Sequence, residues 1–197
     1  MSKRTDVWGL VLAGGKSRRM GSDKALLVRD GETQLARAVA LLQRHVAQVF
    51  VSTRADQAND DERRKFEQII DRYDDMGPLA GILSAMDKNA DVAWLVVACD
   101  LPNIDDVTIS DLLNRHTNTH PFTAYSSSYD SLPEPLCAIY GIGSRSIVDA
   151  FVADGIHCPR KILIRSATQL LQQPHADALD NINTPEDLAN STIGIAQ

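Results

Sequence analysis

Between Leu12 and Lys24 the chain reads Leu12-Ala13-Gly14-Gly15-Lys16-Ser17-Arg18-Arg19-Met20-Gly21-Ser22-Asp23-Lys24. The chemistry this permits is phosphate binding. Glycines let backbone N–H groups close around phosphate oxygens with no Cβ in the way, and Lys16, Arg18, Arg19 and Lys24 place four of the chain's 20 Lys and Arg within nine residues. A second chemistry-bearing position is Asp100, which follows the apolar run Trp94-Leu95-Val96-Val97-Ala98-Cys99 and precedes Leu101-Pro102. An acid leaving a central strand at its carboxyl edge is where an open α/β sheet places a metal ligand. The bland alternative for Asp100 is a turn or cap residue ahead of the proline.

Spacing excludes two familiar phosphate loops. Gly15-Lys16-Ser17 imitates the end of a Walker A loop, but the first glycine of that motif would fall on Leu10, and no G-x-G-x-x-G occurs. The pattern that fits is L-A-G-G-x-x-x-R-M-G-x-D-K. With it the chain resembles the molybdopterin-guanine dinucleotide synthases, the MobA family within the nucleotidyltransferases. Gly77-Pro78-Leu79-Ala80-Gly81 and the P-E-P-L-x-A-x-Y of residues 133–140 carry the resemblance further, and it extends from about residue 8 to residue 190.

The resemblance implies a three-layer α/β fold of the nucleotide-diphospho-sugar-transferase type, Rossmann-like with a mostly parallel mixed sheet, and one nucleotidyltransferase domain over residues 1–197. The implied reaction moves GMP from Mg-GTP to the terminal phosphate of molybdopterin (molybdenum cofactor), releasing pyrophosphate, with Mg²⁺ as cofactor. It further implies that Lys24 and Arg19 act on phosphate oxygens, and that Asp100 holds the metal. Leu12, Ala13, Gly14, Gly15, Ser52 and Asp71 then bind the nucleotide together with Lys24 and Asp100. Pro78, Leu79, Asn181 and Asn183 take the acceptor side, Asn183 near the metal. Implied partners are GTP, molybdopterin, other cofactor-biosynthesis proteins and acceptor apoenzymes. In-line displacement at an α-phosphorus needs positioning and charge neutralisation more than covalent help, which suits so short a list of groups.

The chain departs from the family in two places. Ser52 stands where the family commonly has asparagine, and the spacing from Asp71 to Gly77 is one residue short, which leaves Asp74 and Asp75 as alternatives to Asp71. The rival enzyme readings are a molybdopterin cytidylyltransferase and a sugar-phosphate nucleotidyltransferase, and a nucleotide-binding module without turnover is the third. Gly14-Gly15 and the pair Asn181, Asn183 favour the guanylyl branch.

The elements that must position these groups alternate as strand and helix. Val7–Leu12 reads as a buried strand; Thr33 caps a helix carrying Leu35, Val39, Leu42 and Val46; Val49–Val51 and Ile69–Ile70 read as short strands. Asp60 to Lys65 is a charge run of both signs, expected on the solvated face of a helix. Pro78 opens a helix, Trp94–Cys99 is the most continuous strand, Asp106–His116 a helix and Phe122–Tyr125 a strand. The polar stretch Ser126–Pro133 is expected as a mobile loop over the site. Pro135–Tyr140 reads as a strand, covered by a helix bearing Ile147, Val148, Phe151 and Val152. Residues 158–173 stay ambiguous, since Pro159 suits a helix start and Ile162-Leu163-Ile164 a strand. Thr184-Pro185-Glu186-Asp187 reads as a helix cap.

Composition bounds the rest. At 197 residues with 44% hydrophobic and 23% charged positions, the chain is an ordinary globular domain, which excludes wholesale disorder. A net charge of −6 argues against a nucleic-acid surface, which needs many clustered cations. Cys99, Cys137 and Cys158 form no C-x-x-C pair, so neither a disulfide framework nor a zinc site is indicated. No apolar run reaches the ~18 residues of a membrane span and no signal peptide is recognisable, so a cytoplasmic, membrane-free protein is expected.

Overall fold

A computed structural model describes residues 3–15 and 23–180 of the chain. Val7–Leu12 forms β1, with Val7 and Val11 in one core and Leu10 in another. A strand buried on both faces reads as an unbroken apolar run, which is why the sequence shows no alternation here. After the 3-10 turn Lys24–Leu26, β2 (Val28–Arg29) and β3 (Glu32–Thr33) make a small hairpin. Its turn is Asp30-Gly31, at φ 52° and 82°, the positive-φ pair that tight hairpin turns demand. Thr33 then caps α1 (Gln34–His45), its Oγ1 accepting from Ala36 N at 3.0 Å. The order continues β4 (Val49–Thr53), β5 (Gln68–Ile70), α2 (Pro78–Lys88), β6 (Ala93–Ala98), α3 (Asp106–Arg115), β7 (Phe122–Ser126), β8 (Pro133–Tyr140), α4 (Ser144–Ala153), α5 (Pro159–Ile164) and β9 (Thr168–Leu171).

The large sheet has the order β5-β4-β1-β6-β8-β7-β9. Strands β5 to β6 pair in parallel, β8 runs against both its neighbours, and β7 pairs in parallel with β9. This is the mostly parallel mixed sheet that the resemblance implied. Among the described residues α1 and α3 cover one face, where Leu35 and Leu42 of α1 and Ile109 and Leu112 of α3 enter the core; α2, α4 and α5 cover the other with Ile82, Val148 and Ile162. Each such side chain contributes roughly 1.5–3 kcal/mol by leaving water. At Gly9 a Cβ would lie 3.1 Å from Leu42 Cδ1, so the glycine is what lets α1 seat on the middle of the sheet.

Three expectations are corrected or resolved. Proline wins in the ambiguous stretch, where Pro159 starts α5 and Ile162 and Leu163 are helical core residues, while the strand comes later as β9. Ser126–Pro133 is a hairpin connection between β7 and β8, closed by Ser127 N donating to Leu132 O at 2.8 Å. Arg160 holds it from the side, donating to Asp130 at 3.1 Å and to Glu134 at 2.8 Å, and none of residues 126–133 lines the cleft described below. The charge run 60–65 is a turn ending in the 3-10 helix Arg63–Lys65, and the Arg63 side chain is 0% exposed, not solvated. The expected cap at Thr184 lies outside the described residues.

Candidate active site

The chain passes from β1 out to β4 and β5 on one side, then returns to place β6 on the other. Strand order therefore reverses beside β1, and a crevice opens beyond the carboxyl ends of the strands at such a point. A cleft of about 740 Å³ lies there. Leu12, Ala13, Gly14 and Gly15 enter it from the end of β1, Ser52 from β4, Asp71 just past β5, Asp100 just past β6, Lys24 from the 3-10 turn and Pro78 from the start of α2.

Lys24 and Asp100, 76 positions apart in sequence, meet in this cleft, with Nζ donating to Oδ2 at 3.4 Å. Their side chains are 20% and 28% exposed, sheltered yet open to a ligand. Asp23 caps the turn that carries Lys24, accepting from Ala25 N at 3.0 Å. Asp100 sits two residues past β6 because the strand ends at Ala98 and Cys99 N bonds back to Leu12 O. Burial pushes the neighbouring Cys99 thiol up to about 12, which makes it an inert packing residue and not a nucleophile.

Asp71 is oriented from two sides. Ser52 Oγ donates to its Oδ1 at 2.7 Å, and a Cβ on Gly14 would stand 3.1 Å from its Oδ2. Burial raises the Asp71 pKa above the ordinary carboxylate value, opposed by the Ser52 hydrogen bond and the charge of Arg54. The shorter Ser52 side chain thus serves to hold Asp71. Asp74 and Asp75 also line the cleft, but both are exposed, so of the three acids Asp71 is the one fixed by the sheet.

The backbone of the loop is partly committed. Leu12 O accepts from Cys99 N at 3.3 Å, Gly14 O from Arg54 Nη1 at 3.2 Å, and Ala13 O from Arg63 Nη2 at 2.7 Å. Leu79, expected on the acceptor side, is corrected: it is 0% exposed and packs in the core with Leu10 and Phe50, because it occupies the inward face of α2. Pro78, one residue earlier, does reach the cleft. Arg19, Lys16, Arg18, Asn181 and Asn183 lie outside the described residues. Arg54 and Arg63 escaped the sequence reading, since each lies in a stretch of mixed charge and nothing local marks the partly exposed Arg54 or the buried Arg63 as reaching this cleft's backbone.

A divalent ion fits this donor set in one mode. Among the described residues no group of three His, Cys, Asp or Glu could cage a metal unaided. Asp100 offers one partly exposed carboxylate on the cleft, and Mg²⁺ typically takes one or two protein carboxylates and completes its shell with water and substrate phosphates.

Comparison with known proteins places the geometry in a lineage. Residues 9–171 match the family described as MobA-like NTP transferase domain. A molybdenum cofactor biosynthesis bifunctional protein of Synechocystis is 35% identical over 93% of this chain, which spans only 53% of that longer protein. A probable molybdenum cofactor guanylyltransferase of Opitutus terrae is 33% identical, with 91% of each chain covered. The crystal structure of molybdopterin-guanine dinucleotide biosynthesis protein A from Archaeoglobus fulgidus superposes with a TM-score of 0.76 at 23% identity, covering 92% of this chain and 95% of that one, and so shares the fold. With a family match over most of its length and its lysine, aspartates and glycine-rich strand end gathered at the switch point of the sheet, the chain belongs to the MobA-like NTP transferase family.

Proposed function

We propose that this protein is a molybdenum cofactor guanylyltransferase, transferring GMP from Mg-GTP to the terminal phosphate of molybdopterin with release of pyrophosphate. The observation that carries the reading is the Lys24–Asp100 pair at 3.4 Å in the cleft beyond β1 and β6. It gives one cation for phosphate oxygens and one carboxylate for a metal, the minimum that nucleotidyl transfer requires. The names of the relatives supply the acceptor and the base.

In this reading the chain works as one cytoplasmic nucleotidyltransferase domain. Gly14 and Gly15 bring backbone amides to the nucleotide, Asp71 orients it, and Pro78 borders the acceptor's end of the cleft. Arg19 joins Lys24 at the phosphates, and Asn181 and Asn183 complete the acceptor side. Asp100 would hold Mg²⁺, which when bound offsets charge on the phosphates of GTP. Lys24, whose Nζ donates to Asp100 Oδ2, would offer its charge to the phosphate oxygens of the bound nucleotide. Cofactor-biosynthesis proteins and acceptor apoenzymes are the proposed partners upstream and downstream.

The purified protein, given Mg²⁺, molybdopterin and each NTP in turn, is expected to yield a GMP-bearing dinucleotide identified by mass. No product with any NTP overturns the reading in favour of a binding module. The metal assignment has its own test. Asp100→Asn is expected to retain less than about a tenth of the parent kcat, a factor of ten corresponding to ~1.4 kcal/mol, while GTP binding without metal by calorimetry changes little.

A further inference from the structure

Among the described residues Arg63 is the fully buried charge. Its side chain is 0% exposed, and a single nitrogen, Nη2, donates to Ala13 O at 2.7 Å and to Asp23 Oδ2 at 2.6 Å. Those two acceptors lie on either side of the glycine- and cation-rich loop, ten positions apart in sequence, and the guanidinium brings them to one atom. Nη1 donates to Asp60 Oδ2 at 3.3 Å, and Asp60 is in turn fixed by its own turn, accepting from Glu62 N at 2.9 Å. Gln57 Nε2 adds a donor to Asp23 at 3.3 Å. The other oxygen of Asp23 caps the turn that begins with Lys24. A continuous path therefore runs from the Asp60 turn through Arg63 and Asp23 to Lys24, whose ammonium faces Asp100.

Burying a guanidinium among carboxylates is a poor way to gain stability, since an apolar replacement of similar volume is often neutral or better. Here the arrangement is also incomplete, because the buried Arg63 Nε has no hydrogen-bond partner among the described residues. What the arrangement does supply is geometry. A forked, planar donor fixes the relative position of two acceptors in a way that no apolar side chain can. Preorganised cations at a transferring phosphoryl group lose much of their effect when misplaced by about 1 Å.

We infer that Arg63 is a positioning residue for nucleotidyl transfer: by holding Ala13 O and Asp23 together it fixes the end of β1 against the turn that carries Lys24 and so sets the aim of that lysine. This rests on the transfer reaction proposed above and assigns the residue no contact with substrate. Its mark is energetic coupling to Lys24.

The test is a double-mutant cycle on the full chain, measuring kcat and KM for Mg-GTP well below the melting temperature and normalised to folded protein. Arg63→Gln and Asp23→Asn are each expected to lower kcat by tenfold or more with a smaller change in KM, and Arg63→Lys to recover part of the loss. Lys24→Ala is expected to cost at least tenfold less in the Arg63→Gln background than in the parent. If Arg63→Gln does not fold, Asp23→Asn, at the partly exposed end of the path, takes its place in the cycle. Losses below tenfold, or a Lys24→Ala effect of the same size in both backgrounds, overturn the inference and leave Arg63 a packing residue. A parent protein that forms no product with any nucleotide removes the transfer reading instead, and this inference falls with it.

Discussion

Lys24 and Asp100 form a partly exposed ion pair, and such pairs contribute about 0–1 kcal/mol to stability. The same lysine, held beside a phosphate that is gaining charge, is worth far more to a reaction. Lys24→Ala is therefore expected to lower kcat/KM by about two to four powers of ten while the melting temperature falls by no more than about 4 °C, read by steady-state kinetics and a thermal melt on one preparation. An unfolded variant would make Lys24 structural, and an active one would hand its role to Arg19 or Lys16. Asp71 shows the opposite balance. Its pKa is raised chiefly by burial, against the pull of Ser52 and Arg54. An acid whose folded pKa lies above its unfolded value, ~3.9, stabilises the fold fully below that value and loses the contribution as pH rises through the folded pKa. At pH 7 the ionised Asp71 is thus a net burden on the fold. Asp71→Asn, which keeps an oxygen for Ser52, is expected to melt at or above the parent at pH 7, with the gap closing toward pH 4, and to bind GTP more weakly. A variant melting below the parent at pH 7 would show that Ser52 and Arg54 outweigh burial.

The helix α2 approaches the strand ends closely enough that its fourth residue, Gly81, decides the geometry of the cleft floor. A Cβ on Gly81 would overlap Ser52 Oγ and lie 2.9 Å from Leu12 Cδ2. Gly81→Ala must push α2 off β1 and β4, so it is expected to cost about 1–3 kcal/mol, roughly 2–12 °C in melting temperature, and to loosen the Ser52–Asp71 hydrogen bond. Calorimetric melts with GTP titrations would show both effects; an unchanged melt would mean that the helix shifts freely. The sequence announced this element, because Gly77-Pro78 at a helix start and the inward spacing of Leu79, Ile82, Leu83 and Met86 carry local signals. It announced β1, β6 and the Thr33 cap of α1 for similar reasons, and the sheet brings Leu12–Gly15, Ser52, Asp71, Lys24, Pro78 and Asp100 to one cleft. It could not announce what depends on distant partners. Arg63 looks like any charge in a mixed run until Asp23 and Ala13, 40 and 50 positions away, close around it. Leu79 looked like a motif residue, although its neighbour Pro78 is the one that faces the cleft. Ile162-Leu163-Ile164 fits strand or helix equally by apolar content, and Pro159 decided it.

Across the whole molecule the architecture fixes where the chemistry happens but not which base is used. A mixed sheet with its cleft beside β1 does not by itself select a base, so base choice must come from the few groups around the end of β1. Three of the local carbonyls, on Leu12, Ala13 and Gly14, are already engaged by Cys99 N, Arg63 and Arg54, which ties this edge to β6 and to two arginines. An edge so tied discriminates strongly. Guanine presents an O6 acceptor beside N1–H and N2–H₂ donors, and a base without that pattern leaves buried groups unsatisfied at about 1–3 kcal/mol each. Two such losses of about 1.4 kcal/mol or more each correspond to at least about a hundredfold, so GTP is expected to be preferred over CTP and ATP by that factor in kcat/KM. The measurement is a single reaction containing all three nucleotides, Mg²⁺ and molybdopterin, with the dinucleotides resolved by mass. An excess of CMP-bearing product would move this chain to the cytidylyl branch, and a mixed product would mean that the edge at β1 does not touch the base. In that case Ser52, where the family commonly has an asparagine, is the position to change: Ser52→Asn restores an amide at the floor of the cleft, and a gain in GTP preference would locate base recognition there.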